Sequence, residues 1–144
     1  MKKIIILLFT IMLLTACSEA APNNHIFTGE SEHWEAEYTY NGIENWGEKD
    51  EQKTDSNAYH FRFVLKYKGS LEELSSLQKI EYSYETNGDY GSDTEEFAQP
   101  LVSGIFALSG SSESREKVLE DAVIKVNVRW DGFEESFVLQ NNSK

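Results

Sequence analysis

Apolar and polar residues alternate with period two over several separate stretches of this chain, the mark of half-buried β-strands. Trp34, Ala36, Tyr38 and Tyr40 share one parity, with Glu35, Glu37 and Thr39 on the other. Tyr59, Phe61, Phe63, Leu65 and Tyr67 repeat the pattern, interleaved with His60, Arg62, Val64 and Lys66. Aromatic residues suit a pleated, half-buried surface, so this run predicts a central strand. Ile80, Tyr82 and Tyr84 against Glu81, Ser83 and Glu85 predict another. Leu101 to Leu108 is apolar on both parities and predicts a strand buried on both faces.

Turn chemistry places the last two strands. Ile124, Val126, Val128 and Trp130 lead into Asp131-Gly132, and Phe133, Glu135, Phe137 and Leu139 lead out. Asp-Gly between alternating runs predicts a two-residue type I′ hairpin, because both turn residues need positive φ. Counting outward sets Trp130 opposite Phe133, Val126 opposite Phe137 and Ile124 opposite Leu139 on an apolar face, and Arg129 opposite Glu134 on a charged one.

Between the strands, Ser70-Leu71-Glu72-Glu73 has the spacing of a capping box and predicts a helical turn or two, with Leu71, Leu74 and Leu77 as its apolar edge. A second short helix is predicted around Glu113 to Leu119. Asn41 to Asn57 and Asn87 to Glu96 are polar and read as loops. Six or more short strands with little helix predict an all-β fold, an antiparallel β-sandwich of immunoglobulin-like type with one or two short helical turns.

The amino terminus breaks the pattern. Met1-Lys2-Lys3 precedes an apolar run from Ile4 to Leu14, interrupted only by Thr10. A bilayer-spanning helix needs about 20 apolar residues, so this run is a secretory signal rather than a permanent span. Leu14-Thr15-Ala16-Cys17 resembles the lipobox of bacterial lipoproteins, and the chain's single cysteine falls where the lipobox requires it. That resemblance implies diacylglyceryl lipid, palmitate for example, on the Cys17 sulfur and cleavage just before it. Two or more acyl chains anchor a protein stably where one does not. The expected organisation is a signal peptide over 1–16, a lipid-anchored tether over 17–28 and a β-domain over 29–144. The expected location is the extracytoplasmic side of the cell membrane.

Cleavage leaves 128 residues, enough for one domain with a modest core. It removes Lys2 and Lys3 and no acid, so 13 basic residues fall to 11 against 25 acidic ones, a net charge of −14. Such a charge repels phosphate backbones and anionic headgroups, which argues against nucleic acid as a partner and leaves anchoring to the lipid. An acylated Cys17 forms no disulfide, so stability must come from packing.

Candidate chemistry is sparse. His25, His33 and His60 have no paired-His spacing and no nucleophile motif beside them, which predicts a protein without enzymatic activity or cofactor. His60 alternates with core residues and reads as a solvated face residue. Asn87, Asp89, Asp93, Glu95 and Glu96 form an acidic stretch with glycine. It is read first as a solvated turn and second as a weak calcium loop, since its spacing fails the EF-hand pattern. Trp46 in a charged loop is either an indole folded over the core, the favoured reading, or an exposed stacking platform.

The lipobox, the opening Phe27-Thr28-Gly29-Glu30-Ser31-Glu32-His33-Trp34, the tyrosine-rich strands and the closing Trp130-Asp131-Gly132 hairpin together resemble a group of small uncharacterised lipoproteins of Gram-positive bacilli, over most of the mature chain. The resemblance implies location and fold and carries no activity. Two functional readings follow: a non-enzymatic binding or interaction module of the cell envelope, and an acidic inhibitor or decoy that captures a cationic envelope protein or peptide.

Overall fold

The computed structural model describes residues 24–42, 57–114 and 118–142. Eight strands account for most of them: Asn24–Glu30 (β1), Trp34–Gly42 (β2), Asn57–Tyr67 (β3), Lys79–Glu85 (β4), Tyr90–Glu96 (β5), Ile105–Ser114 (β6), Ile124–Trp130 (β7) and Phe133–Asn141 (β8). The fold is all-β, and every pairing is antiparallel. No helix among the described residues is long and apolar enough to cross a membrane.

The strands form one sheet in the order β5-β4-β7-β8-β1-β2-β3-β6, where the sequence led us to expect two separate sheets. The join is β8 with β1, which registers Phe27 with Asn141 and Thr28 with Gln140. Gly29 makes it possible, because a Cβ there would run into the Val138 carbonyl oxygen. Period-two patterning tells which face of a strand is buried but not which strand lies beside it, so this seam was not legible in advance.

The sheet curls nearly into a barrel. Laid flat, β5 and β6 would stand seven strand spacings apart, about 34 Å, and the link from Glu96 to Ile105 reaches only about 30 Å at full stretch. Its edges do approach, with the Phe97 ring 6.2 Å from Phe106. Curling turns the apolar faces inward, so rings from β2 and β3 meet rings from β4 and β7. Tyr38 lies 5.0 Å from Tyr84, Phe63 lies 5.3 Å from Tyr84, and Trp34 meets Trp130 edge-on at 5.4 Å. Such edge and tilted contacts are the favoured aromatic geometries.

Strands β2, β3 and β4 present the expected residues to this core, and β3 is interior to the sheet. The β7–β8 hairpin has the expected register throughout, with Asp131 at φ 44° and Gly132 at φ 87° in the turn, and Arg129 Nε 3.2 Å from Glu134. At the tip, however, Phe133 remains exposed and lays its ring against Trp130.

Several expectations are corrected. β1 begins at Asn24, inside the stretch assigned to the tether, and buries Phe27 completely. The helical turn expected after Ser70 is present as the single 3₁₀ turn Leu71–Leu74, but without the capping box: Ser70 makes no side-chain cap bond, and the Glu73 carboxylate accepts a hydrogen bond from the Tyr67 hydroxyl. The acidic loop is mostly strand, since only residues 86–89 turn before β5 begins. Its inward positions, Gly91, Asp93 and Glu95, lie opposite Tyr84, Tyr82 and Ile80, so no apolar alternation betrayed it. The strand expected over Leu101 to Leu108 starts only at Ile105 and alternates, with Phe106 buried and Ile105 exposed, while Val102 is 93% exposed. It then continues through polar residues to Ser114. The helix expected around Glu113 is therefore replaced at its start by strand, and Leu119 and Ala122 close a turn.

Inward acids on β5 serve the fold in another way. β5 ends the sheet, and an edge strand with inward-pointing charges resists pairing with other chains. Burial, then the neighbouring Asp93, raise the Glu95 carboxyl pKa. The ionised form is thus disfavoured in the folded state, and stability is lost as pH rises from the ordinary carboxylate range through the raised value.

Two outcomes follow from this packing. Glu95→Gln will be more stable than the parent at neutral pH, by about 0.5 kcal/mol for a position still partly solvated, and thermal melts will show the two converging as pH falls below the ordinary carboxylate range. Gly132→Val will cost about 1 kcal/mol in urea unfolding, because open space surrounds Gly132 and the penalty is the backbone's alone.

Candidate functional site

The turn joining β1 to β2 carries Ser31, Glu32 and His33. Ser31 N–H closes it by donating to Trp34 O at 2.7 Å, and Lys68 N–H donates to His33 O at 2.8 Å, which ties the turn to the end of β3. Facing it from β8 is Glu135, paired with Val128 and so pointing to the core side of the sheet. A carboxylate on that side needs partners, because burying an unpaired charge is costly.

The turn supplies them. Glu135 Oε1 accepts from the Ser31 hydroxyl at 2.6 Å and from His33 N–H at 3.0 Å, and Oε2 lies 2.5 Å from His33 Nδ1. The imidazole is held flat against Tyr67, centroids 6.4 Å apart and planes 11° from parallel, with Trp130 tilted against it at 5.8 Å. Tyr67 in turn donates to Glu73 Oε2 at 2.7 Å.

Charge follows geometry. The hydrogen bond to Glu135 raises the His33 pKa, opposed by burial and helped by the charges of Glu135, Glu32 and Glu73. Burial works to raise the Glu135 carboxyl, but the hydrogen bonds from Ser31, from His33 N–H and from the imidazole outweigh it and hold it below the ordinary value. Burial, then Glu73, push the Tyr67 hydroxyl up to about 12.

Glu32, exposed on the same turn, completes a group with His33 and Glu135 in which one ligand-type atom from each lies within 4.8 Å of the others. These are residues that could hold a metal ion. The same residues do not form a serine relay, since the Ser31 hydroxyl donates to Glu135 and not to His33.

The other sequence candidates are scattered. His60 is exposed beside Ser111, 2.5 Å from its hydroxyl, on the outward face as expected. His25 stacks on Tyr40 at 6.1 Å. Of the acidic stretch only Asp93 and Glu95 come together, side by side on β5; Asp89 holds the Tyr59 hydroxyl, Asp93 also accepts from Tyr82 at 3.4 Å, and Glu96 stands on the outer face. Cys17 and Trp46 lie outside the described residues. A groove of about 940 Å³ crosses the outer face of β1, β2 and β3 between Glu37, Arg62 and Lys66. It is an open saddle whose charges partly pair off, as Lys66 does with Glu35 at 3.6 Å, and it carries less chemistry than the His33 cluster.

Sequence reasoning named His33 but missed its partner. The signal was present, because the hairpin register already set Glu135 on the apolar face, and an acid there demands an explanation.

Glu135→Ala will leave the Ser31 hydroxyl and the His33 N–H without their acceptor and lower unfolding stability by about 2 kcal/mol in urea denaturation. A loss within measurement error would show that these hydrogen bonds do not stabilise the fold.

Comparison with protein-family models, with curated proteins and with solved structures finds no match for this chain.

Proposed function

We propose that this chain is a membrane-anchored extracytoplasmic lipoprotein, held by lipid on Cys17, whose β-domain is a non-enzymatic binding or interaction module of the cell envelope. Anchoring is supported by the cationic start, the short apolar run and the single cysteine at the end of Leu14-Thr15-Ala16-Cys17. With β1 starting at Asn24, the tether is short: seven steps of about 3.3 Å keep the start of the domain within about 23 Å of the lipid.

The end of the sheet opposite the tether carries the binding reading. β1 starts next to the tether, so the Ser31–His33 turn lies at the other end of the strand, the end farther along the chain from the lipid. Leu71, Val102, Ile105 and Phe133 are exposed at that end, around the oriented His33–Glu135 pair, while Tyr90, Leu119 and Val123 are exposed toward the other. What sets the first end apart is the oriented polar pair among its exposed apolar residues, the mixture that a docking surface uses. The two halves of the curled sheet face each other across the aromatic core, which supports describing the packing as sandwich-like.

The charge favours a second reading, an acidic decoy for a cationic envelope protein or peptide. The described stretch from Asn24 to Gly42 holds four glutamates and no lysine or arginine. Capture of that kind must survive physiological salt, where exposed charges are screened beyond about 8 Å.

Metabolic labelling with a fatty-acid analogue will label the parent chain and not Cys17→Ala; label on the variant would sink the anchoring reading. On intact cells, a photo-crosslinking residue at Phe133 or Val102 will capture a partner that the same probe at Leu119, exposed at the tether-proximal end, does not. A basic partner still captured at physiological salt would favour the decoy, and equal capture at both ends would count against a distal docking surface.

A further inference from the structure

We propose that Glu32, His33 and Glu135 form a binding site for a divalent first-row transition-metal ion of the zinc class. One imidazole nitrogen and two carboxylate oxygens are donors such ions accept, and the imidazole selects against calcium and magnesium, which take oxygen. With bonds of about 2.0–2.2 Å, neighbouring ligands around such an ion stand about 3.3–3.5 Å apart. The three donors already lie within 4.8 Å of one another. To reach that spacing around an ion, Glu32 must draw in and Nδ1 and Oε2, now 2.5 Å apart, must part, the ion replacing the hydrogen bond between them.

Two features separate this cluster from acids that merely share a surface. Two of the three donors are held before any ion arrives: Glu135 by the Ser31 hydroxyl and the His33 N–H, the imidazole by Tyr67 and Trp130. Preorganised ligands lose little freedom on binding. The local charge is also unspent, because Lys68, the base bonded to this turn, directs its ammonium to Glu30 at 3.2 Å and to the Ser31 carbonyl at 3.0 Å, while Glu73 adds a further negative charge near the imidazole.

The site stands on this geometry alone, whether or not the distal end docks a partner. The test is titration of the full chain, stripped with a chelator, with Zn²⁺, followed by calorimetry and by the imidazole resonances of His33. One ion per chain is expected at the His33 site. His33→Gln will weaken its binding by at least about tenfold, Glu32→Gln will weaken it several-fold without moving the melting temperature, and His60→Gln will leave it unchanged. Glu32 is exposed, so its variant keeps the test informative even if His33→Gln disturbs the turn. No Zn²⁺ uptake by the parent chain, or uptake undiminished in either His33→Gln or Glu32→Gln, overturns the site.

Discussion

Where β8 meets β1 the two halves of the sheet become one, and the contact is a matter of backbone. Among the described residues only Phe27 with Asn141 and Thr28 with Gln140 register across it, and Gly29 lets the Val138 carbonyl pass where any side chain would stand. Push these strands apart and the ladder splits into β5-β4-β7-β8 and β1-β2-β3-β6. The curl that turns both apolar faces inward would go with it. The core is built from large rings that meet across the two halves, so it is the seam that lets those rings find partners. Interiors pack at near-crystalline density, and ring contacts of this kind do not tolerate a shift of strand spacing.

Glu135 is the polar counterpart of that seam at the β1–β2 turn. It leaves β8 toward the core and is satisfied by the β1–β2 turn, so the same two strands joined by backbone at Gly29 are joined again by a carboxylate. The arrangement costs desolvation and returns three hydrogen bonds, two of them to groups of the turn backbone or hydroxyl, so it acts as a clip as well as a chemical site. His33, which lies on the turn and not on a strand, is oriented by the clip and by the rings of Tyr67 and Trp130. A structural need and a ligand-competent imidazole are thus met by one set of atoms, which is why the candidate site sits at this end of the sheet.

The edges show the opposite use of charge. Asp93 and Glu95 point inward on β5 and weaken its burial, yet they leave that edge a poor template for another strand. Acids that read as a loop in the sequence are placed on a strand because β4 offers a complete set of backbone partners, and hydrogen bonding to a neighbour overrides weak intrinsic preference.

By itself the sequence determined the hairpin of β7 and β8 down to its register, because Asp131-Gly132 selects the turn and the turn sets every pair outward from it. It also determined the buried faces of β2, β3 and β4, where apolar and mostly aromatic residues repeat at every second position. These are short-range signals, carried within a dozen residues. What only the tertiary structure decided is the strand order, the β1 strand within the expected tether, the strand character of β5 and the pairing of His33 with Glu135. That pair is separated by 102 residues, and its meeting depends on the curl of the whole sheet. Alternation records which way a side chain faces, whereas the neighbour it meets there is set by closure, a property of all eight strands at once.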